Sequence, residues 1–221
     1  MKYYPVFLRV AGRSCLVIGG GKIAEQKVQS LLKAGGQVTV ISPDLTPTLA
    51  TLASTHHIVH HQRVYATGDL RGFFLAYAAT DSDALHARVS REAREAGVLL
   101  NAVDQPSLCD FIVPSVMERG DLVIATSTSG TSPAMAKRIR RELQHSFGPE
   151  YDLALQLLGR LRHRLAETSL TAAERQRIFA ALVDSPLLDY LRKRRAREVD
   201  RLLAATAGDG ISLASLGMEL S

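Results

Sequence analysis

The sequence predicts an α/β fold in which a parallel sheet covered by helices is followed by a β-hairpin and then by helices alone. Three observations support this class. Short apolar runs alternate with helical patterns over residues 1–110, two apolar runs flank Arg119-Gly120-Asp121, and amphipathic helical patterns continue to near the end of the chain. Alternating strands and helices are typical of βαβ units with a parallel sheet, whereas two apolar runs joined by a short turn indicate an antiparallel hairpin.

The first apolar run leads directly into a glycine-rich turn. Residues 14–18 are predicted to form a strand, and a helical pattern opens at Lys22. Between them, the spacing Gly19-x-Gly21-x-x-Ala24 is the small-residue form of the dinucleotide fingerprint. Gly19 allows the sharp turn, Gly21 lets the backbone approach a pyrophosphate, and Ala24 lets the helix pack closely on the strand. Because the helix N-terminus also offers free N–H groups to phosphates, we expect a Rossmann-like domain that binds a dinucleotide.

The end of the second predicted strand, at residues 37–41, indicates which dinucleotide is used. Rossmann enzymes often have an acidic residue there to hold the adenosine ribose, but this chain has Ser42 and Pro43, with Asp44 two places later. No arginine stands there to accommodate a 2′-phosphate, so NAD is predicted rather than NADP. The predicted cofactor contacts are Gly19, Gly21, Lys22, Ile23, Ser42, Pro43, Asp44, Thr80 and Asp81.

The later elements of the sheet domain place polar residues at one edge. The uninterrupted apolar run at 73–79 is typical of a buried parallel strand. It ends at Thr80-Asp81, and the next strand delivers Asn101 and Asp104 to the same edge, where ligands of open α/β sheets bind. The predicted elements are a short helix from an Asp44 cap to about Ser54, strands at 58–61 and 73–79, a helix over 83–96 and a strand at 98–101.

The second part of the chain reads as a hairpin and then helices. The polar loop from Ser127 to Pro133 carries hydroxyls that can cap the following helix. Thr171 and Glu174 form the pattern of a capping box. The predicted strands are 111–117 and 122–126, the helices are 134–147, 151–167, 171–183 and 186–207, and the last ten residues are predicted to be a loose tail. The predicted domains are 1–110, 111–148 and 149–221.

Composition describes an ordinary globular protein, with 46% hydrophobic and 22% charged residues and a net charge of +5. Residues 134–221 carry 15 Lys and Arg against 11 Asp and Glu, so the basic excess lies in the second part. No apolar run approaches a membrane span, and the N-terminus lacks a signal-peptide core, so we expect a cytoplasmic protein without membrane contact. Neither Cys15 and Cys109 nor the histidines near the third strand have the spacing of a permanent metal site.

Five groups of residues occur in the order and at the separations of one known family. They are Gly19-Gly20-Gly21-Lys22-Ile23-Ala24-Glu25, Ala78-Ala-Thr-Asp81, Asn101-x-Val103-Asp104-x-Pro106, Phe111-Ile-x-Pro114-Ser115 and Ser129-Gly-Thr-Ser-Pro133. The chain resembles the precorrin-2 dehydrogenase/ferrochelatase part of siroheme synthases from about Tyr4 to the helices past Pro133, and it looks like a stand-alone form. The resemblance implies an enzyme that oxidises precorrin-2 to sirohydrochlorin with NAD⁺, and in many members also inserts Fe²⁺ to give siroheme.

The same resemblance implies roles for particular residues. It marks Asp104 as catalytic, and it places the dimer interface in the hairpin region, which predicts a homodimer. The substrate is a polycarboxylate, so the basic second part and the backbone donors of residues 127–132 are suitable complements. The implied substrate contacts are Asn101, Ser127, Thr128, Ser129, Gly130, Thr131, Ser132 and Lys137.

Two other functions are compatible with the sequence. An NAD(H)-sensing regulator would use the basic segment Arg192–Arg197 as a helical DNA-binding module, although the sequence has no helix-turn-helix signature. A catalytically silent binding module on the same fold is the second, since a fold does not fix a function. Enzyme action without nucleic acid is the favoured hypothesis, because it also accounts for residues 101–106 and 111–133.

Overall fold

A computed structural model describes residues 2–220 and divides the chain into two compact units, Met1–Val113 and Pro114–Ser221. The predicted architecture is confirmed: a Rossmann-like parallel sheet with helices, a two-stranded antiparallel hairpin and C-terminal helices. Residues 111–113, which were predicted to belong to the hairpin region, are part of the first unit. The domain boundary predicted at residue 148, within the second unit, stays a prediction. Among the described residues, no helix is long and apolar enough to cross a membrane.

The first unit is built around a five-stranded parallel sheet with the strand order β3-β2-β1-β4-β5. The chain runs outward from β1 to β3 and then returns to the other side of β1 for β4, so the order reverses between β1 and β4. Ligands of open α/β sheets bind at such a point, outside the carboxyl ends of the strands. The elements are β1 (Ser14–Ile18), α1 (Lys22–Lys33), β2 (Gln37–Ile41), α2 (Pro47–Ser54), β3 (Val59–His61), β4 (Leu75–Ala78), α3 (Asp83–Ala96) and β5 (Leu99–Ala102).

Both faces of this sheet are covered, as the apolar strands require. Side chains alternate along β1, so Cys15 and Val17 pack toward α1 and α2 while Leu16 and Ile18 pack toward α3. All four residues are buried, and so is every residue of β4. The two apolar layers fix β1 and β4 between helices, which makes the ends of these strands a rigid support for a site.

The second unit combines the hairpin with five helices. Its helical core is formed by leucines of α5 at four-residue spacing, among them Leu157, Leu161 and Leu165, which pack with Leu191 and Leu203 of later helices. The predicted capping box is confirmed, since Thr171 and Glu174 exchange side-chain to backbone hydrogen bonds. The elements are β6 (Ser115–Arg119), β7 (Leu122–Thr126), α4 (Pro133–Ser146), α5 (Glu150–Ala166), α6 (Ala172–Val183), α7 (Leu187–Arg192) and α8 (Ala196–Ala207).

Two sequence predictions about chain ends and breaks are wrong in the second unit. The helix predicted over 186–207 is two helices, because Arg194 takes a left-handed conformation with φ 54° and Arg195 N donates to Tyr190 O across the break. In the described part of the predicted loose tail, Leu213, Leu216 and Met218 are buried in the helical core, as is Ile211 just before it. A 3₁₀ turn at Ala214–Leu216 lies within this segment.

Two smaller predictions also need correction. The first hairpin strand was expected at 111–117 but begins at Ser115, since Pro114 has no N–H to give to a ladder and the Phe111 carbonyl already accepts from Asn101. The cap of α2 is Thr46 rather than Asp44, and its hydroxyl accepts from Leu49 N at 3.3 Å.

Candidate active site at the carboxyl edge of the sheet

The glycine turn after β1 is shaped by two close backbone approaches. A Cβ on Gly19 would lie 2.1 Å from the carbonyl oxygen of Ala79, and φ at Gly19 is +118°, which favours glycine. A Cβ on Gly20 would lie 1.9 Å from the carbonyl oxygen of Asp44. The turn therefore packs against the ends of both neighbouring strands. Gly20 has this role although the fingerprint spacing leaves its position unspecified.

Gly21 differs from both of these residues. It is the N-cap of α1, it is exposed, and its φ of −81° is accessible to any residue. A Cβ built on it would meet no atom within 4 Å. No contact with residues 2–220 requires glycine here. The space outside Gly21 and the N–H groups of the first turn of α1 fit a phosphate group, as the fingerprint predicts.

The segment after β2 is held to this turn by hydrogen bonds. The hydroxyl of Ser42 donates to Asp44 O at 2.7 Å, and Thr46 N donates to Gly20 O at 2.9 Å. Thr46 also donates its hydroxyl to the carboxylate of Glu25 in the first turn of α1. The Ser42 side chain is buried and engaged in this loop, whereas Pro43 and Asp44 are exposed beside the turn.

A cleft of about 220 Å³ opens at the carboxyl ends of β4 and β5. It brings together four residues that the sequence predicted for the site from three separate segments. Ile23 comes from the first turn of α1, Thr80 and Asp81 follow β4, and Asp104 follows β5. The other lining residues are Ala79, Asp83, His86, Val103 and Gln105.

Asp104 is exposed and takes a left-handed backbone conformation with φ 59°. Positive φ is uncommon outside glycine and is better tolerated by Asp and Asn than by most residues. Burial lowers the pKa of Lys27 on α1, and the nearby carboxylate of Asp104 opposes that shift. The Lys27 ammonium also lies 5.4 Å from the centroid of the Tyr77 ring. The Lys27 ammonium and the Asp104 carboxylate thus interact electrostatically.

The residues after Asp104 turn back onto β5 and hold its loop. Leu100 N donates to the carboxylate of Asp110 at 2.9 Å, and the Cys109 thiol donates to Ala102 O. The Asn101 amide donates to Phe111 O at 2.8 Å, and the Phe111 ring packs edge-on against Tyr77. One of the two amide N–H groups of Asn101 is therefore used within the protein, which leaves the other N–H and the amide oxygen for a substrate.

The remaining predicted substrate contacts lie in the second unit. Ser132 caps α4 by accepting from Met135 N at 3.2 Å, and the Thr128 hydroxyl exchanges hydrogen bonds with the Ser132 backbone. Ser129 has φ 55°, so the loop turns sharply at its tip. Gly130, Thr131 and Lys137 are exposed. Since this loop ends at a helix N-terminus, it is suited to bind carboxylates, and its substrate role stays a prediction.

The basic segment of the second unit is partly neutralised by acidic neighbours. Arg192 donates to the buried carboxylate of Glu150 at 2.7 Å, and Lys193 pairs with Asp189 at 2.8 Å. The break at Arg194 divides the segment between α7 and α8. A continuous basic helix of the kind that enters a DNA groove is therefore not formed by residues 192–197.

Two further observations concern metals and unpaired polar groups. Within residues 2–220, no group of three His, Cys, Asp or Glu side chains is arranged to hold a metal ion. In the same part of the chain, the buried side-chain nitrogen and oxygen atoms without a hydrogen-bond partner are Thr80 Oγ1 and the two ring nitrogens of His86. Both residues line the cleft. Sequence reasoning missed His86, although helical spacing places it on the face of α3 that contains Val89 and Ala93.

The fold and the site define the class of protein. A glycine turn between a buried strand and a helix, beside a cleft at the reversal of strand order, is the arrangement of dinucleotide-binding Rossmann-like domains. Comparison with known proteins agrees, since residues 6–115 match a family model described as "Putative NAD(P)-binding". Residues 119–146 match a second model, described as the central part of a sirohaem biosynthesis protein. A nicotinamide dinucleotide is thus the kind of cofactor that this family indicates.

Individual relatives name the family. A siroheme synthase of Methylobacillus flagellatus is 39% identical over 179 residues, which cover 81% of this chain and 38% of that protein. A siroheme synthase of Thioalkalivibrio sulfidiphilus is 34% identical over 224 residues, covering 100% of this chain and 45% of that protein. The chain belongs to the siroheme synthase family, in its NAD(P)-binding and central parts, and spans less than half the length of these relatives.

A solved structure shows the same fold. The protein titled "SirC, precorrin-2 dehydrogenase" superimposes with a TM-score of 0.76 over 93% of this chain and 99% of that chain. Because sequence identity is 24%, this likeness is evidence for the fold, including the part of the chain beyond the sheet unit. It is not evidence for the roles of particular side chains.

Proposed function

We propose that this protein oxidises precorrin-2 to sirohydrochlorin with NAD⁺, using the carboxylate of Asp104 in the proton transfer. The observation that carries the proposal is the cleft in which Asp104 meets Ile23, Thr80 and Asp81 beside the glycine turn. Membership of the siroheme synthase family supports the substrate class. NAD is proposed over NADP because the segment from Ser42 to Asp44 has no arginine for a 2′-phosphate.

The residues present fit a bound dinucleotide. The open space at Gly21 and the N-terminus of α1 would take the diphosphate, and Lys22 adds a positive charge there. The exposed residues Pro43 and Asp44 would border the adenosine ribose. Bound NAD⁺ would supply an acceptor for a hydride. The protein then has to hold the macrocycle against that acceptor and remove one proton.

The position of Asp104 in the cleft supports its proposed role as the acceptor of this proton. Asp104 is exposed and lines the cleft, and the segment that follows it is held to β5 by hydrogen bonds. General base help of this kind contributes about 10²–10⁴ in rate.

We further propose that Asp104 serves iron insertion, if ferrous iron is also a substrate. Metal insertion removes two pyrrole N–H protons, and a carboxylate can accept such a proton while it draws Fe²⁺ toward the ring. Because residues 2–220 hold no three-ligand metal cluster, an iron ion would be passed on rather than kept. The function of this step is proposed from the family resemblance and from the chemistry of Asp104.

A homodimer formed through the second unit is part of the proposal. The hairpin and α4 expose apolar side chains, with Val116 at 36%, Val123 at 39% and Met135 at 48% exposure. An antiparallel pair of strands also leaves unpaired edges. Both features suit an isologous contact between two copies of the chain.

The decisive experiment combines pure protein, enzymatically made precorrin-2 and NAD⁺. We expect NADH and sirohydrochlorin to form together, and Asp104→Asn to retain NAD⁺ binding while losing most of this activity. Asp209→Asn is the matched control, because Asp209 is an exposed loop residue in the second unit. Absence of NADH formation in the wild-type protein would disprove the proposed reaction, and a wild-type rate in Asp104→Asn would disprove its catalytic residue.

A further inference from the structure

His86 is buried, and its two ring nitrogens form no hydrogen bond with the described residues. It lies in the first turns of α3, where Ser82 caps the helix and His86 N donates to Ser82 O. The side chain is 3% exposed, and both ring nitrogens lack hydrogen-bond partners. The buried face of the helix that it shares contains the apolar residues Val89 and Ala93.

A second orphaned group lies in the same cleft. Thr80 Oγ1 is buried without a partner, and together with the His86 nitrogens it makes up all such side-chain atoms found in residues 2–220. Buried polar groups are nearly always paired, and exceptions are explained by a water, an ion or a ligand that completes them. Because Thr80 and His86 both line one cleft, a single ligand can explain both exceptions.

The chemistry of the two side chains limits what that ligand can be. A neutral imidazole offers one donor and one acceptor, and a hydroxyl offers both as well. The matching group must itself carry a donor and an acceptor, as a carboxamide does. Three carboxylates, those of Asp81, Asp83 and Asp104, line the same cleft and disfavour anionic groups such as a diphosphate or a carboxylate. They favour a cation.

We propose that His86 and Thr80 recognise the carboxamide of the oxidised nicotinamide ring, and that His86 is therefore a cofactor-binding residue. The oxidised ring is cationic and carries a carboxamide, so it satisfies both the hydrogen-bonding and the charge requirements of this cleft. The inference rests on the proposed use of NAD⁺ and adds the residues that hold its reactive end. In the bound state, one ring nitrogen of His86 makes a hydrogen bond to the carboxamide, directly or through one water.

The test compares two ligands that differ in the nicotinamide. NAD⁺ and ADP-ribose share the adenosine, the diphosphate and the second ribose, and only NAD⁺ has the carboxamide. Calorimetric titration of the wild-type protein and of His86→Leu gives the dissociation constant of each ligand. We expect His86→Leu to weaken NAD⁺ binding about three- to tenfold, the loss of one hydrogen bond, and to leave ADP-ribose binding unchanged. His86→Asn, which keeps a donor and an acceptor, should recover part of the loss.

Stability measurements separate this role from packing. His86→Leu removes unpaired buried polar atoms, so the ligand-free variant should unfold at the same or a higher denaturant concentration than the wild type. Thr80→Val is the second variant, similar in shape but without the hydroxyl, and it should show the same selective loss for NAD⁺. Equal NAD⁺ affinity in all of these variants would overturn the inference, and so would a parallel loss of ADP-ribose binding and stability. If the wild-type protein bound neither ligand, the proposed function itself would fail.

Discussion

The glycine turn allows ligand binding to be separated from folding at neighbouring positions. We predict that Gly21→Asp abolishes useful NAD⁺ binding without destabilising the protein. A Cβ at Gly21 meets no atom of the described residues within 4 Å, and its backbone angles are open to any residue. Aspartate is also a good N-cap, so the helix should gain a few tenths of a kcal/mol relative to glycine. The free energy of unfolding should therefore be unchanged or slightly higher.

The loss of binding is estimated from charge. Two unit charges about 4 Å apart repel by about 4 kcal/mol at an effective dielectric constant of about 20. Solvent and salt at this exposed turn reduce the repulsion to about 3 kcal/mol, which corresponds to a loss in affinity of about 100-fold. Gly21→Asn has nearly the same size without the charge, so the difference between the two variants measures the electrostatic part.

Gly20→Ala is the opposite case. Its Cβ would lie 1.9 Å from the Asp44 carbonyl oxygen, a backbone atom that cannot move without opening the loop. Overpacking of this kind costs about 1–3 kcal/mol of unfolding free energy. Denaturant unfolding of the three variants tests the predicted stabilities, and calorimetric titration with NAD⁺ tests the predicted affinities. Unchanged NAD⁺ affinity in Gly21→Asp would refute the diphosphate site, and wild-type stability in Gly20→Ala would refute the description of the turn.

Three further predictions concern the chemistry, the helical unit and the dimer. Asp104→Asn should slow Fe²⁺ or Co²⁺ insertion into sirohydrochlorin, by about 10²-fold or more if the carboxylate takes the pyrrole protons, and an unaffected metal step would assign it to another group. Burial works against the charged form of Glu150, but hydrogen bonds from Arg192 and the backbone outweigh it and hold the pKa below its usual value. The stabilisation that ionised Glu150 provides is therefore present above the unfolded-state pKa and is lost as pH falls through the folded-state pKa. The free energies of unfolding of the wild type and of Glu150→Gln should converge in acid, and a difference that stays constant with pH would contradict this. Met135→Glu should convert the proposed dimer to monomer in light scattering, whereas a wild-type protein that is already monomeric at micromolar concentration would refute the interface.

The sequence was sufficient for the elements whose signals are local. The fingerprint glycines, the buried run of β4 and the capping box at Thr171 each depend on residues close together in the chain, and the structure has all three. Parallel strands bring their carboxyl ends to one edge, so the meeting of Thr80, Asp81 and Asp104 was also predictable from strand order alone.

Features that depend on distant partners were not predictable in this way. The break at Arg194 has no proline or glycine to mark it, and it allows Leu191 and Val199 on either side to face one core. The C-terminal segment looked unstructured because its buried residues follow neither helical nor strand spacing. Its order comes from remote contacts: Leu213 N donates to Asp200, and Arg160 donates to Leu216 O.

The charges within the first unit favour one orientation of the proposed dinucleotide cofactor. The N-terminus of α1 and the side chain of Lys22 are positive beside the glycine turn, whereas Asp81, Asp83 and Asp104 make the cleft negative. A dinucleotide with an anionic diphosphate and a cationic ring matches this arrangement in one orientation only. The proposed match would favour the oxidised form, because the reduced ring is neutral and gains no attraction from the carboxylates. In the proposed complex these groups would add to the affinity for NAD⁺ and not to that for NADH, which favours release of the reduced product after each turnover.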